Sequence, residues 1–123
     1  MKKSWRDTYW LTEDGLKVTI DEIHDYLGPK TIDINPAEVK KQVLKSRGKD
    51  FLPAGSGSTS QERVDNANIS FPIILVVKNK KYTYVLDGNH RLQKAVNINK
   101  PLKAKVLDLD NPKTPQKYID LFG

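Results

Sequence analysis

The sequence predicts an α+β domain, a small mixed β-sheet flanked by helices. Three observations predict it. A continuous apolar run, Phe71-Pro72-Ile73-Ile74-Leu75-Val76-Val77, is rich in β-branched residues and too short for most helices, so it reads as a buried strand. Helix-start signals precede apolar residues at helical spacing in two places before it. After it, a second strand runs through a glycine turn straight into a further helical pattern at Val85-Leu86-Asp87-Gly88-Asn89-His90-Arg91-Leu92. A chain of 123 residues holds one core and not two. Residues 1–123 are therefore read as a single domain, with residues 1–30 as an N-terminal extension packed on the core.

The elements follow in chain order. Trp5, Tyr9, Trp10, Leu11 and Leu16 suit an arm laid over the core. Thr19-Ile20-Asp21-Glu22 has capping-box spacing, with Glu22 placed to reach back to the Thr19 N–H. Ile20, Ile23 and Leu27 continue at helical spacing, and Gly28-Pro29 ends that helix. Thr31-Ile32-Asp33-Ile34 alternates like a short strand. Asn35 and Pro36 then open a helix that carries Val39 and Val43 on one face and fades near Arg47-Gly48.

Residues 51–68, centred on Gly55-Ser56-Gly57-Ser58, predict a flexible loop. It lacks the Gly-Lys-Ser/Thr ending of a P-loop. Lys78-Asn79-Lys80-Lys81 is a polar turn, and Tyr82-Thr83-Tyr84-Val85-Leu86 is the strand that returns from it. A helix carrying Leu92, Ala95 and Val96 follows. The last strand spans 102–109, with Leu102, Ala104, Val106 and Asp108 expected on one side. Thr114-Pro115 opens a short C-terminal helix bearing Tyr118, Leu121 and Phe122.

Composition narrows the function classes. Apolar residues make up 37% and charged residues 29%, and no apolar run approaches the ~20 residues of a membrane span, so no membrane partner is expected. No apolar segment follows the first charges, which argues against a secretory leader. The chain has no cysteine, which removes disulfides, thiolate zinc sites and cysteine nucleophiles and suits a cytoplasmic, reducing setting. Net charge is +6. Between residues 78 and 105 eight Lys/Arg stand against one acid, Asp87. Such a stretch is either a solvated face or an electrostatic approach to a polyanion such as a nucleotide or DNA.

The junction at 87–91 carries the chemistry. Gly88 permits a backbone conformation closed to other residues, or close approach of a ligand. Unpaired N–H groups and the positive dipole end at a helix start attract an anion. His90 and Arg91 in a first turn are unfavourable unless something negative arrives. Arg91 offers a fork matched to phosphate. His90 can donate to phosphate or move a proton near neutral pH. Asp87 has three open roles: metal ligand, orienting group for His90, or base. Asp87 and His90 are thus the catalytic candidates, and Gly88, Asn89, His90, Arg91 and Arg63 the nucleotide-binding ones. The metal ligands are undetermined, with Asp33 a further candidate carboxylate; Asp65 and Asn66 have a weaker claim. His24, beside Asp25 with no second histidine near it, is assigned to the surface, and two histidines so far apart assemble no zinc site.

Residues 71–107 resemble the ParB/sulfiredoxin-like superfamily. The resemblance rests on the Pro72-Ile73 strand, the hairpin, Asp87-Gly88-Asn89-His90-Arg91-Leu92 opening a helix, Lys94-Ala95 a turn later, and a closing strand at Lys103-Ala104-Lys105-Val106-Leu107. It covers about a third of the chain and leaves residues 1–30 unaligned. It implies a nucleotide-binding domain with its phosphate loop at Gly88, Asn89, His90 and Arg91, ATP or CTP with Mg²⁺ as ligands, and phosphotransferase or nucleoside triphosphate hydrolase activity on DNA or a small hydroxylated acceptor. It equally admits a DNA-binding ParB-like protein or nuclease, or a non-catalytic adaptor or inhibitor, and phage-encoded members are among the suggested relatives. Sulfiredoxins carry a catalytic cysteine where this chain has Asn89, so their reaction is excluded. ParB clamps carry Arg-Arg at His90-Arg91 and add DNA-reading and dimerisation domains, for which the residues after Asn97 leave no room. The likeness is therefore to an isolated nucleotide-binding core, nearest in motif to the kinase-like members.

Overall fold

The structure, a computed structural model, describes residues 9–47 and 65–123. In chain order these form β1 (Tyr9–Leu11), β2 (Lys17–Thr19), α1 (Ile20–Leu27), β3 (Ile32–Ile34), α2 (Pro36–Arg47), β4 (Ile73–Lys78), β5 (Lys81–Asp87), α3 (Asn89–Asn97), β6 (Leu102–Asp108) and α4 (Gln116–Phe122). Of the predicted 51–68 loop, residues 51–64 lie outside the described residues, and Arg63 with them. Trp5 does as well.

The fold is α+β, as predicted. The strands β3-β6-β4-β5 form one mixed sheet in that order, and β1-β2 form a separate antiparallel ribbon. β4 is parallel to β6 and antiparallel to β5, while β3 is antiparallel to β6. The β4–β5 turn places Asn79 and Lys80 at φ 54° and 63°, the left-handed pair that a two-residue hairpin needs. The Asp110 carboxylate holds this turn by accepting from both backbone N–H groups at 2.8 Å. Those two bonds hold its carboxyl below the ordinary carboxylate range.

Apolar clusters cover both faces of the sheet. Ile73, Leu75, Val85, Leu102 and Ala104 meet α2 and α3 through Val39, Val43, Leu92 and Ala95. Ile74, Val76, Leu86 and Leu107 meet α1, β2 and α4 through Ile20, Ile23, Val18, Tyr118 and Phe122. This explains why 71–77 is apolar throughout: β4 is central and buried on both sides. It also shows why both faces of the alternating β6 segment carry apolar residues. Leu102 and Ala104 share one side as expected, facing α2 and α3, and the alternate positions Leu107 and Leu109 are buried against the opposite layer.

The start signals work mostly as read. The Thr19 hydroxyl accepts from the Glu22 N–H at 3.0 Å, and the Asn35 side chain accepts from the Glu38 N–H at 3.3 Å. The reciprocal half of the predicted capping box is absent. The Glu22 carboxylate turns outward to accept from the Tyr118 hydroxyl at 2.6 Å and the Lys117 ammonium at 2.7 Å, linking α1 to α4. Trp10 of β1 packs edge-on against Phe122, with ring centroids 5.1 Å apart. Among the described residues no helix is long and apolar enough to cross a membrane.

Candidate functional site

Register places the site. Leu75 pairs with Val85, but Ile74 pairs with Asp87, so β5 holds one extra residue, Leu86, at that step. By strict alternation Asp87 would share the α2/α3 face with Val85. The bulge turns it instead onto the face of its partner Ile74, toward α1. On the other side of β4, Ile74 pairs with Lys105 of β6. Lys105, Ile74 and Asp87 thus form one row across three strands, with an acid and a base at its ends.

Asp87 is buried, with 5% of its side chain exposed. Its Oδ2 lies 3.0 Å from a guanidinium nitrogen of Arg91, one turn into α3, and 3.2 Å from Nε2 of His24 on α1. Both partners are themselves largely covered, at 12% and 17% exposure. An aspartate at a buried strand end is costly unless paired, and here two groups from two different elements pair it. A cleft of about 610 Å³ opens over this cluster. It is lined by Asp21, His24 and Asp25 of α1, by Lys105 of β6 and by the Phe71-Pro72 approach to β4. A cleft of that volume falls within the range of small-molecule sites.

The glycine between strand and helix is required twice over. Gly88 has φ 102°, in the left-handed region, and is the N-cap residue of α3. A Cβ there would collide with the Ile73 side chain, reaching its Cγ2 and lying 2.8 Å from its Cβ. Of the two roles open to Gly88 from sequence, the structure assigns the tight turn and the close packing of helix against strand. As a cap, Gly88 supplies no side-chain acceptor, and no acid stands in the first turn of α3. A helix start of this kind carries the positive end of the dipole, which favours an anion. The Asn89 side-chain oxygen at this turn is buried without a hydrogen-bond partner, a state that a donor from water or a ligand would relieve.

The predicted residues divide as follows. Asp87, Gly88, Asn89, His90 and Arg91 do lie together at the β5–α3 junction. Arg91 turns back onto Asp87, four residues earlier, so its fork is partly engaged. The histidine brought to Asp87 is His24 rather than His90, which stands half-buried in the first turn of α3. The assignment of His24 to the surface is therefore wrong. Its contact with Asp87 spans 63 positions, and no local signal carries it; only the run Asp21, His24, Asp25 on one helix face hints at a polar wall. Asp33 is excluded from the cluster. It sits on the opposite edge strand, 74% exposed and paired with Lys103 at 2.8 Å. Asp65 and Asn66 are exposed, and the backbone carbonyls of Asp65 and Ala67 accept from Lys94 of α3 at 2.8 and 2.9 Å. Arg63 lies outside the described residues.

Among the described residues no group of three or more His, Asp or Glu side chains gathers around one point as a metal cage would require. A Mg²⁺ ion held by one or two carboxylates together with a substrate's phosphates needs no such cage. Comparison of the chain with family models, with characterised proteins and with solved structures gives no match.

Proposed function

We propose that this protein binds a nucleoside triphosphate together with Mg²⁺ and transfers its terminal phosphoryl group to a hydroxyl acceptor or to water. The observation that carries this reading is the buried Asp87, in contact with both His24 and Arg91 in the lining of an open cleft, at a strand end followed by a helix start without a side-chain cap. The start of α3 and the Arg91 fork supply an anion site. Lys105, in the same row of the sheet as Asp87, adds a second cation on the cleft wall. The resemblance of residues 71–107 to nucleotide-binding domains points the same way.

The chemistry assigned to each group follows from its contacts. Asp87 orients the His24 ring through Nε2. His24 then takes the proton of the acceptor O–H as that oxygen bonds to the terminal phosphorus. The bond from this phosphorus to its bridging oxygen breaks, and the nucleoside diphosphate leaves with the electron pair. Arg91 and the α3 N–H groups hold the charge on the phosphoryl oxygens. Mg²⁺, when bound, neutralises phosphate charge. His90, next to Arg91 in the first turn, is assigned a second contact to the phosphates.

Calorimetry with ATP, CTP, GTP and ADP at millimolar concentration, with and without Mg²⁺, tests the binding. Heat is expected from at least one triphosphate. Arg91→Ala should remove roughly 1.5–3 kcal/mol of charge-assisted bonding, about a tenfold to hundredfold loss of affinity. His24→Gln should leave binding nearly unchanged and lower the release or transfer of labelled phosphate by about 10²-fold or more. Absence of heat with all four nucleotides overturns the reading.

A further inference from the structure

We infer that the exposed ring of Phe71 is the nucleobase platform of the cleft, so that the bound ligand is a complete nucleotide rather than a bare phosphate compound. This rests on the nucleotide reading and extends it from the phosphates to the base. Phe71 immediately precedes the buried β4 strand, yet it is 59% exposed, whereas Ile73, Ile74, Leu75 and Val76 just after it are fully buried. Folding does not account for this ring, since it belongs to neither apolar cluster. A single exposed aromatic is ordinary on a protein surface. This one, however, lines the same cleft as Asp87, Arg91 and Lys105.

The charge around the cleft orients the ligand. Arg91 and Lys105 attract phosphates, while Asp21 and Asp25 on the α1 wall repel them. A ligand whose phosphates sit at the β5–α3 junction must present an uncharged portion to the rest of the cleft. That portion meets a phenyl face with Pro72 beside it and carboxylates that accept from base amino or ribose hydroxyl groups. Stacking on a phenyl ring suits every base because every base has a π-face. Phe71 accordingly adds affinity for nucleotides as a class, and choice among bases falls to the α1 carboxylates.

The test compares each nucleotide with inorganic tripolyphosphate, which has the phosphates and no base. Calorimetry is run with both probes on the wild-type chain, Phe71→Ala, Phe71→Tyr and Arg91→Ala, with circular dichroism to confirm folding. Truncation of a ring this exposed leaves the core intact. Phe71→Ala is expected to weaken the best-bound nucleotide by roughly tenfold to a hundredfold and tripolyphosphate by less than about twofold. Phe71→Tyr restores nucleotide affinity, and Arg91→Ala weakens both probes. If Phe71→Ala weakens both probes equally, or neither, the platform is overturned and the phosphate site stands. If neither probe binds the wild-type chain, the nucleotide reading fails and the platform with it.

Discussion

Asp87 shows how one side chain acquires a role from its surroundings. Its carboxylate sits at the end of a buried strand, where an unpaired charge would be untenable, and Arg91 and His24 converge on the same oxygen. Because the two share one acceptor, substitutions at Arg91 and His24 are expected to be non-additive in a double-mutant cycle. Gly88 is the second residue on which the junction depends, because both its φ of 102° and its packing on Ile73 exclude a side chain. Gly88→Ala is expected to cost about 1–2 kcal/mol for the left-handed backbone and about 1–3 kcal/mol for overpacking. The sum, roughly 2–5 kcal/mol, is a large part of the stability of a domain this size. Urea denaturation checks it: the midpoint should fall with the slope unchanged. A loss below about 1 kcal/mol would show that the junction relaxes around a side chain and that close packing is not the reason for glycine there.

At the scale of elements, α1 is tied into the molecule by two contacts on different sides. His24 reaches β5, and Glu22 reaches α4 through Tyr118 and Lys117. Burial works to raise the Glu22 pKa. The hydrogen bonds from Lys117 and Tyr118 and the Lys117 charge outweigh it, and the carboxyl titrates below its ordinary 4.5. Burial first, and then the bond to Glu22, push the Tyr118 phenol well above its ordinary value. A carboxyl whose folded pKa is lowered stabilises the fold above its unfolded value and loses that contribution as pH falls through the folded one. Wild-type stability should therefore decline on acidification from about pH 5 to pH 3, and Glu22→Gln should flatten part of that decline. Guanidinium melts of the two proteins at a series of pH values give the comparison. Parallel curves would mean that the α1–α4 link contributes nothing electrostatic.

Across the whole molecule the basic stretch of the sequence does not form one surface. Lys78, Lys80 and Lys81 lie at the hairpin turn, whereas Asp87 is at the other end of β5, roughly 20 Å away at a strand's rise per residue. Lys103 is taken up by Asp33, Lys94 by backbone carbonyls, and Lys105 lines the cleft. These lysines are thus divided among the hairpin turn, the β3–β6 pair, α3 and the cleft. Binding should couple to global stability, because the cleft is built from α1, β5, β6 and α3 together. Nucleotide at ten times its dissociation constant adds about 1.4 kcal/mol. For a chain of this length that raises Tm by roughly 5 °C. Arg91→Ala at the same nucleotide concentration should show a rise of about 2 °C or less. Differential scanning calorimetry reads both. A shift that is the same in the two proteins would place the ligand away from the β5–α3 junction.

The sequence by itself determined every element whose signal is local. The apolar run at 71–77, the helix starts at Thr19 and Asn35, and the strand–glycine–helix passage at Asp87-Gly88 are set by side-chain period, capping and allowed φ, all of which act over a few residues. The same signals made Asp87, Gly88, Asn89, His90 and Arg91 legible as a candidate site. Only the tertiary structure decided what Asp87 touches. One extra residue in β5 reverses the face Asp87 occupies, and periodicity contains no mark of a one-residue bulge. His24 reads as a surface residue because its partner is 63 positions away and is reached only when α1 packs on the sheet. Phe71 reads as the first residue of a buried strand, and its exposure depends on where β4 emerges from the layers. Local chain stiffness is written in neighbouring residues, whereas the meeting of distant side chains depends on register and layer packing, which no short stretch of sequence encodes.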